Sequence, residues 1–179
     1  MFPVDWNEVE TFYFHAIRRV GWFSYDPKSI HSEGIKRWAR YEEAGLSLKD
    51  EWREVPESRY STGVTIISKK VDKEWKLIWA MHYGGVYSKE ASSLLKSVLI
   101  HSYDTHAKRP FQGCRGPEEE WINDYYVYQN MLSMYLENSF KQFESHERIR
   151  YYQHGLKTSK DIGTGVNLGH HSIFGMALV

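Results

Sequence analysis

The stretch WKLIWAMHYGG, residues 75–85, constrains the fold more than any other part of the chain. In an extended backbone successive side chains point to opposite faces. Trp75, Leu77, Trp79, Met81 and Tyr83 then line one face, and Lys76, Ile78, Ala80 and His82 the other. A row of large apolar groups needs a layer to cover it, so this strand belongs to a sheet packed against other elements. The run YSTGVTIIS before it is also β-rich, and the charged KKVDK between the two reads as the turn of a hairpin. Gly84 and Gly85 are expected to end the strand.

Two helices supply the covering layer. Val9, Phe12, Ala16, Ile17 and Val20 recur at spacings of three and four, with Asp5 and Glu8 placed as a capping box and Gly21 as the stop. Ser88 is a natural N-cap for SKEASSLLKSVLIHSY, where Ala91, Leu94, Leu95, Val98 and Leu99 follow the same period. Between the first helix and the hairpin, IKRWARYEE and LSLKDEWREVPE read as one or two exposed strands.

The remainder repeats this order. KRPFQGCRGPEEE is a Gly/Pro loop, WINDYYVYQNMLSMYL a tyrosine-rich strand, and FESHERIRYYQHGLKTSKDIGTGV a hairpin turning near Gln153 to Gly155. The helices start near Asn7 and Ser88 and the hairpins end at Gly85 and Gly165, so the two offsets nearly coincide. That spacing predicts an internal duplication, with halves at 5–85 and 86–166 and the tail 167–179 outside it. The expected fold is α+β: an antiparallel, curved sheet with two helices, built from two related helix-strand-hairpin halves. With 179 residues, 41% hydrophobic, the chain suits a single domain.

These motifs resemble a small bacterial domain of unknown function that occurs alone or behind Xre-type helix-turn-helix repressors. Its tryptophan-rich strand, W-x-M-x-Y-x-G, matches Trp79, Met81, Tyr83 and Gly85. Its Arg-Gly-Pro loop matches Arg115, Gly116 and Pro117, and its Phe-x-Gly-x-Glu-x-Ile ending matches Phe143, Glu147 and Ile149. The chain departs from the pattern where Ser145 replaces the glycine, in the insertion MLSMYLEN, and at Gly163 and Gly165, where the family carries a histidine before paired glycines. The resemblance covers roughly residues 33–166 and implies no catalytic residues. Because the first helix starts within ten residues of Met1, no Xre DNA-binding domain is expected ahead of it.

Composition narrows the partners. Lys and Arg number 23 and Asp and Glu 23, so no overall field draws the protein to DNA or an anionic membrane. One cysteine, an acidic N-terminus and no apolar run of the ~20 residues a spanning helix needs predict a cytoplasmic protein without disulfide or signal peptide.

Among chemistry-bearing residues, His101 with His106 and His170 with His171 lack metal-ligand spacing, so no metal or cofactor is expected. Cys114, beside Arg115 in a glycine-rich loop, reads as a small residue in a tight turn sooner than a nucleophile. Glu118 to Glu120 with Asp124 read as a solvated acidic run sooner than an acid–base pair. The candidate site is the strand-to-helix junction His82, Tyr83, Gly84, Gly85, Tyr87 and Ser88, facing its counterpart from Gly163 through Gly165 to Asn167. There, exposed backbone and helix-start amides would favour an anion between aromatic walls. The expected role is a non-enzymatic module that binds a small anionic ligand or a protein partner, as a sensor would, with a homodimer compatible. The alternative is a small acid–base hydrolase using His82 or a carboxylate at the junction.

Overall fold

The computed structural model describes residues 2–20, 27–55, 58–105, 111, 114–117, 121–122, 125–135, 138–153 and 165–179. Helix α1 spans Trp6–Arg19, and the Asp5 carboxylate caps it by accepting from the amides of Asn7 and Glu8. The reciprocal arm of the expected capping box is not used, since the Glu8 carboxylate lies 3.9 Å from Lys69 Nζ. Five strands follow: β1 (His31–Glu33), β2 (Lys36–Glu43), β3 (Leu46–Val55), β4 (Tyr60–Val71) and β5 (Glu74–Tyr87). Helix α2 (Lys89–Thr105) comes next, then β6 (Trp121–Ile122), β7 (Tyr126–Leu132), β8 (Gln142–Tyr151) and β9 (Val166–Ala177).

All described strands join one antiparallel sheet in the order β1-β2-β3-β4-β5-β9-β8-β7-β6. The β4–β5 hairpin turns at Asp72 and Lys73, both with positive φ (48 and 73), as a two-residue type I′ turn requires. Helix α1 lies on β2 and β3 and α2 on β5 and β9. Phe14 meets Tyr103 edge-on at 4.9 Å, joining the two helices over a shared core. The architecture is therefore α+β, with the sheet dominant and open. No helix among the described residues is long and apolar enough to cross a membrane.

Trp79 lies at the centre of that core. It is fully buried, its indole Nε1 donates to the Phe140 carbonyl oxygen at 2.8 Å, and its ring stacks on Phe140 at 4.8 Å. Its alternation partners divide, however. A β-bulge between Ile67 and Ser68 of β4 faces β5 at Ile78, and the extra residue changes the phase of the strand. Trp79, Met81 and Tyr83 point inward as expected, whereas Trp75 and Leu77 are 38% and 44% exposed and Ile78 is buried.

Two further expectations are corrected. Strand β5 does not stop at Gly84 and Gly85 but runs through both to Tyr87, because β9 pairs along it from Trp79 to Tyr87. Strand β3 is not an exposed strand: Leu46, Leu48, Asp50 and Trp52 alternate onto the buried face. The tail 167–179, expected outside the repeating units, supplies most of β9, which sits between β5 and β8 in the middle of the sheet. The strand that pairs with β8 thus begins at Val166, and the turn expected near Gln153 to Gly155 falls mostly on residues outside the described ones.

Candidate functional site

Between α2 and the buried face of the sheet lies a cavity of about 530 Å³. Tyr13, Trp52, Met81, Tyr83 and Tyr87 form its apolar and aromatic wall. Asp50, Thr65, Arg115 and His171 give it a polar interior, each at most 7% exposed. At its outer end stand Val55, Arg59 and Tyr60 beside Lys89 and Ser93, all exposed.

The polar interior is a connected network. The Arg115 guanidinium forks onto the Glu147 carboxylate, Nε to Oε1 at 3.2 Å and Nη2 to Oε2 at 2.7 Å. Tyr128 and Tyr87 donate to the same carboxylate at 2.9 and 3.5 Å. Tyr103 fixes the loop by donating to the Arg115 carbonyl oxygen at 2.6 Å. Gly116 follows because the Tyr128 hydroxyl occupies the space a Cβ would need. Burial by itself would lower the Arg115 pKa, but the charge of Glu147 more than offsets it and raises it well above the ordinary arginine value.

His171 stands on the far side of that arginine. Arg115 Nη2 lies 3.4 Å from His171 Nδ1, and arginine can only donate, so Nδ1 accepts and Nε2 carries the proton. Nε2 then donates to Ser61 Oγ at 3.1 Å. Burial, then the positive charge of Arg115, pushes the His171 pKa down to about 2, so the ring is neutral under ordinary conditions. A second centre is the Asp50 carboxylate, whose Oδ1 accepts from Thr65 at 2.8 Å and Tyr83 at 2.9 Å. Tyr83 is raised well above the usual tyrosine value by burial and then by the Asp50 charge, and Tyr87 by burial and then by Glu147.

The expected site residues fall into separate places. Tyr83 and Tyr87 are in the cavity wall. His82 is exposed on the opposite face of the sheet, in a shallow groove with Thr62, Gly84 and Glu144. Gly85 is where β9 passes β5, its missing side chain making room for the His170 carbonyl and the His171 ring. Ser88 does cap α2, accepting from the Ala91 amide at 3.1 Å, while its own amide donates to the Leu168 carbonyl at 2.9 Å. Glu90 adds its carboxylate to the same helix start, and that backbone hydrogen bond, followed by one from Ser88, holds its pKa below the usual range. Two of the helix-start amides expected to receive an anion, those of Glu90 and Ala91, are therefore taken by the chain's own side chains. Gly165 packs on Tyr152 away from the cavity, and Gly163 lies outside the described residues. Ser88 does meet β9 at Leu168, the residue after the expected counterpart, by a backbone hydrogen bond between neighbouring segments.

Cys114 is fully buried and its thiol is pushed up to about 11, first by burial and then by Glu147, the reverse of an activated nucleophile. The acidic run Glu118 to Glu120 with Asp124 lies outside the described residues, as does His106. Among the described residues no three His, Cys, Asp or Glu side chains gather as a metal would need.

Asp50, Arg115, Glu147 and His171 were not singled out together from sequence, yet a signal existed. Each of the two carboxylates stands in register with core positions, Leu46-Leu48-Asp50-Trp52 in β3 and Phe143-Ser145-Glu147-Ile149 in β8, the first series otherwise apolar and the second apolar at its ends. A carboxylate in register with core residues is buried, and a buried carboxylate has a partner or a function. Neither a family model, a curated protein nor a solved structure matches the chain.

Proposed function

We propose that the protein is a non-enzymatic small-ligand-binding module whose site is the cavity between α2 and the sheet. The observation that carries this reading is a cavity of about 530 Å³, within the size range of ligand pockets, walled by aromatic groups and ending on buried polar groups already held in place. Preorganised walls of this kind give up little entropy when a ligand enters.

Several titratable groups converge here, as a catalytic centre also requires, but their environments argue against proton transfer. A general acid or base works best with a pKa near the operating pH. Tyr83 and Tyr87 are raised well away from it and His171 falls to about 2. The Ser61–His171 contact resembles a nucleophile–base pair, yet an arginine stands where a triad would place a carboxylate, and His171 Nε2 already bears the proton it would have to accept. The hydrolase alternative built on His82 loses its geometry because His82 is on the other face of the sheet. Asp50 is the group a surviving enzymatic reading would use as base.

The two helix-led segments of the chain are best read as related halves on a curved sheet, with the cavity drawing walls from both and from the tail: α1, β3, β4 and β5 of the first, α2 and Arg115 of the second, and His171 of the tail. A thermal-shift screen with a chemically diverse small-molecule library tests the function. Compounds should raise the melting temperature of the wild type and leave Ser92→Trp, with its cavity filled, unmoved. Equal shifts in both proteins, or none in either, overturn the proposal.

A further inference from the structure

Resting on that reading of the cavity, we infer that its ligand is an amphipathic anion: an aromatic body in the interior, and a carboxylate, sulfonate or phosphate-like group at the mouth held by Lys89, Lys96 and Arg59. Charge is distributed unevenly around this space. The chain has equal numbers of basic and acidic residues, but among the described residues the cavity wall contains Arg59, Lys89, Lys96 and Arg115 against Asp50 and Glu54. Arg115 is answered by Glu147 just behind it, and Glu54 accepts from the Trp52 indole at 3.0 Å. Among the described residues cationic groups therefore outnumber carboxylates at the outer end, where Lys89 and Arg59 are exposed with Glu90 beside them and Lys96 is half-buried.

The helix delivers these groups by its period. Lys89, Ser92, Ser93 and Lys96 are spaced i, i+3, i+4 and i+7, one face of α2, and all four line the cavity. The apolar stripe Ala91, Leu95, Val98 and Leu99 packs into the core beside it. A helix on a sheet needs only the apolar stripe for stability. The second, cationic one borders the cavity and its mouth. Arg59, across the mouth, has φ 59, a left-handed conformation uncommon for a non-glycine residue, and its amide donates to the Val55 carbonyl at 2.9 Å. Farther in, Trp52, Tyr83 and Tyr87 offer ring faces and no comparable net charge.

A matched pair of probes separates this inference from the pocket itself. 1-Anilinonaphthalene-8-sulfonate carries an aromatic body and one anionic group, and N-phenyl-1-naphthylamine is the same body without the charge. Fluorescence titration should give saturable binding of the anion, with the neutral probe roughly tenfold weaker, the ~1.4 kcal/mol expected of a partly exposed charge cluster. The variant Lys89→Ala/Lys96→Ala should abolish the preference for the anion, bringing its affinity to that of the neutral probe measured in the same variant. Ser92→Trp, or the smaller plug Ser92→Leu, should remove both. Equal affinities that ignore the lysine variant but vanish on plugging overturn the anion inference and leave the pocket standing. Binding that survives both plugs, or no binding of either probe, overturns both.

Discussion

The Arg115 guanidinium and the Glu147 carboxylate form a forked ion pair, 2.7 Å at its shortest, with Glu147 wholly and Arg115 almost wholly removed from solvent. The pair ties the loop after α2 to the middle of β8 beneath the cavity. A charge left alone at that depth is far more costly than the pair. Arg115→Met or Glu147→Leu should each destabilise the protein by about 3–5 kcal/mol, and the double variant Arg115→Met/Glu147→Leu by clearly less than the sum. Urea denaturation of the three proteins measures this, and additive losses would contradict the coupling.

Trp79 does not line the cavity, so its loss should affect folding before binding. Trp79→Ala removes a fully buried ring stacked on Phe140 and leaves that residue's carbonyl without its indole donor. The expected cost is about 3–5 kcal/mol. Below its lowered melting temperature the variant should bind the aromatic probes as the wild type does. A variant of normal stability that no longer binds would place Trp79 in the site.

How far the sequence reaches is shown by which residues it placed. Trp79, Met81, Ser88 and the α2 stripe follow from periodicity, because a period of two or 3.6 is a local property of the chain. The bulge opposite Ile67 and Ser68 is not local, and it alone decides that Ile78 is buried and Leu77 exposed. Nor is the place of β9, a segment with glycines at 169 and 175 that becomes a central strand only because β5 and β8 offer it two edges. The site suffered most from this. Tyr83 was reached through its strand and Tyr87 through a turn expected after Gly85, while Asp50, Glu147 and His171 come together only across β3, β8 and β9.

His171 makes stability depend on pH with a definite sign. Its folded pKa of about 2 lies below the ordinary 6.5, so between these values only the unfolded chain takes up the proton. The stabilising preference for the neutral ring is intact above 6.5 and is lost progressively on acidification, by about 2 kcal/mol at pH 5. His171→Gln, which keeps a donor for Ser61 and cannot be protonated, should remove this part of the slope. Stability curves of wild type and variant between pH 7 and 5 that run parallel would show that His171 is charged in the folded state.

Cys114 should be silent toward thiol reagents in the folded protein. It is buried with its thiol raised to about 11, so the reactive thiolate is scarce as well as shielded. Labelling at pH 8 is expected to follow the rate of global opening and to become fast in denaturant. Rapid stoichiometric labelling of the native protein would place the thiol at the surface.

Gly84 and Gly85 look alike in the sequence and should behave differently on substitution. A Cβ at Gly85 would overlap the His170 carbonyl oxygen and press on the His171 ring, at the point where β9 passes closest to β5. A backbone oxygen in the middle of a sheet cannot step aside without parting the strands. At Gly84 the nearest atom is Thr62 Oγ1, 3.3 Å away at the end of a side chain that can turn. Gly85→Ala should therefore cost at least the upper part of the ~1–3 kcal/mol typical of overpacking and disturb the probe site through His171. Gly84→Ala should stay within about 1 kcal/mol and leave binding intact, since an alanine inside a strand loses less entropy on folding than a glycine. Equal effects of the two substitutions, read from thermal melts and probe titrations, would mean that β5 and β9 are not packed as closely at Gly85 as this register requires.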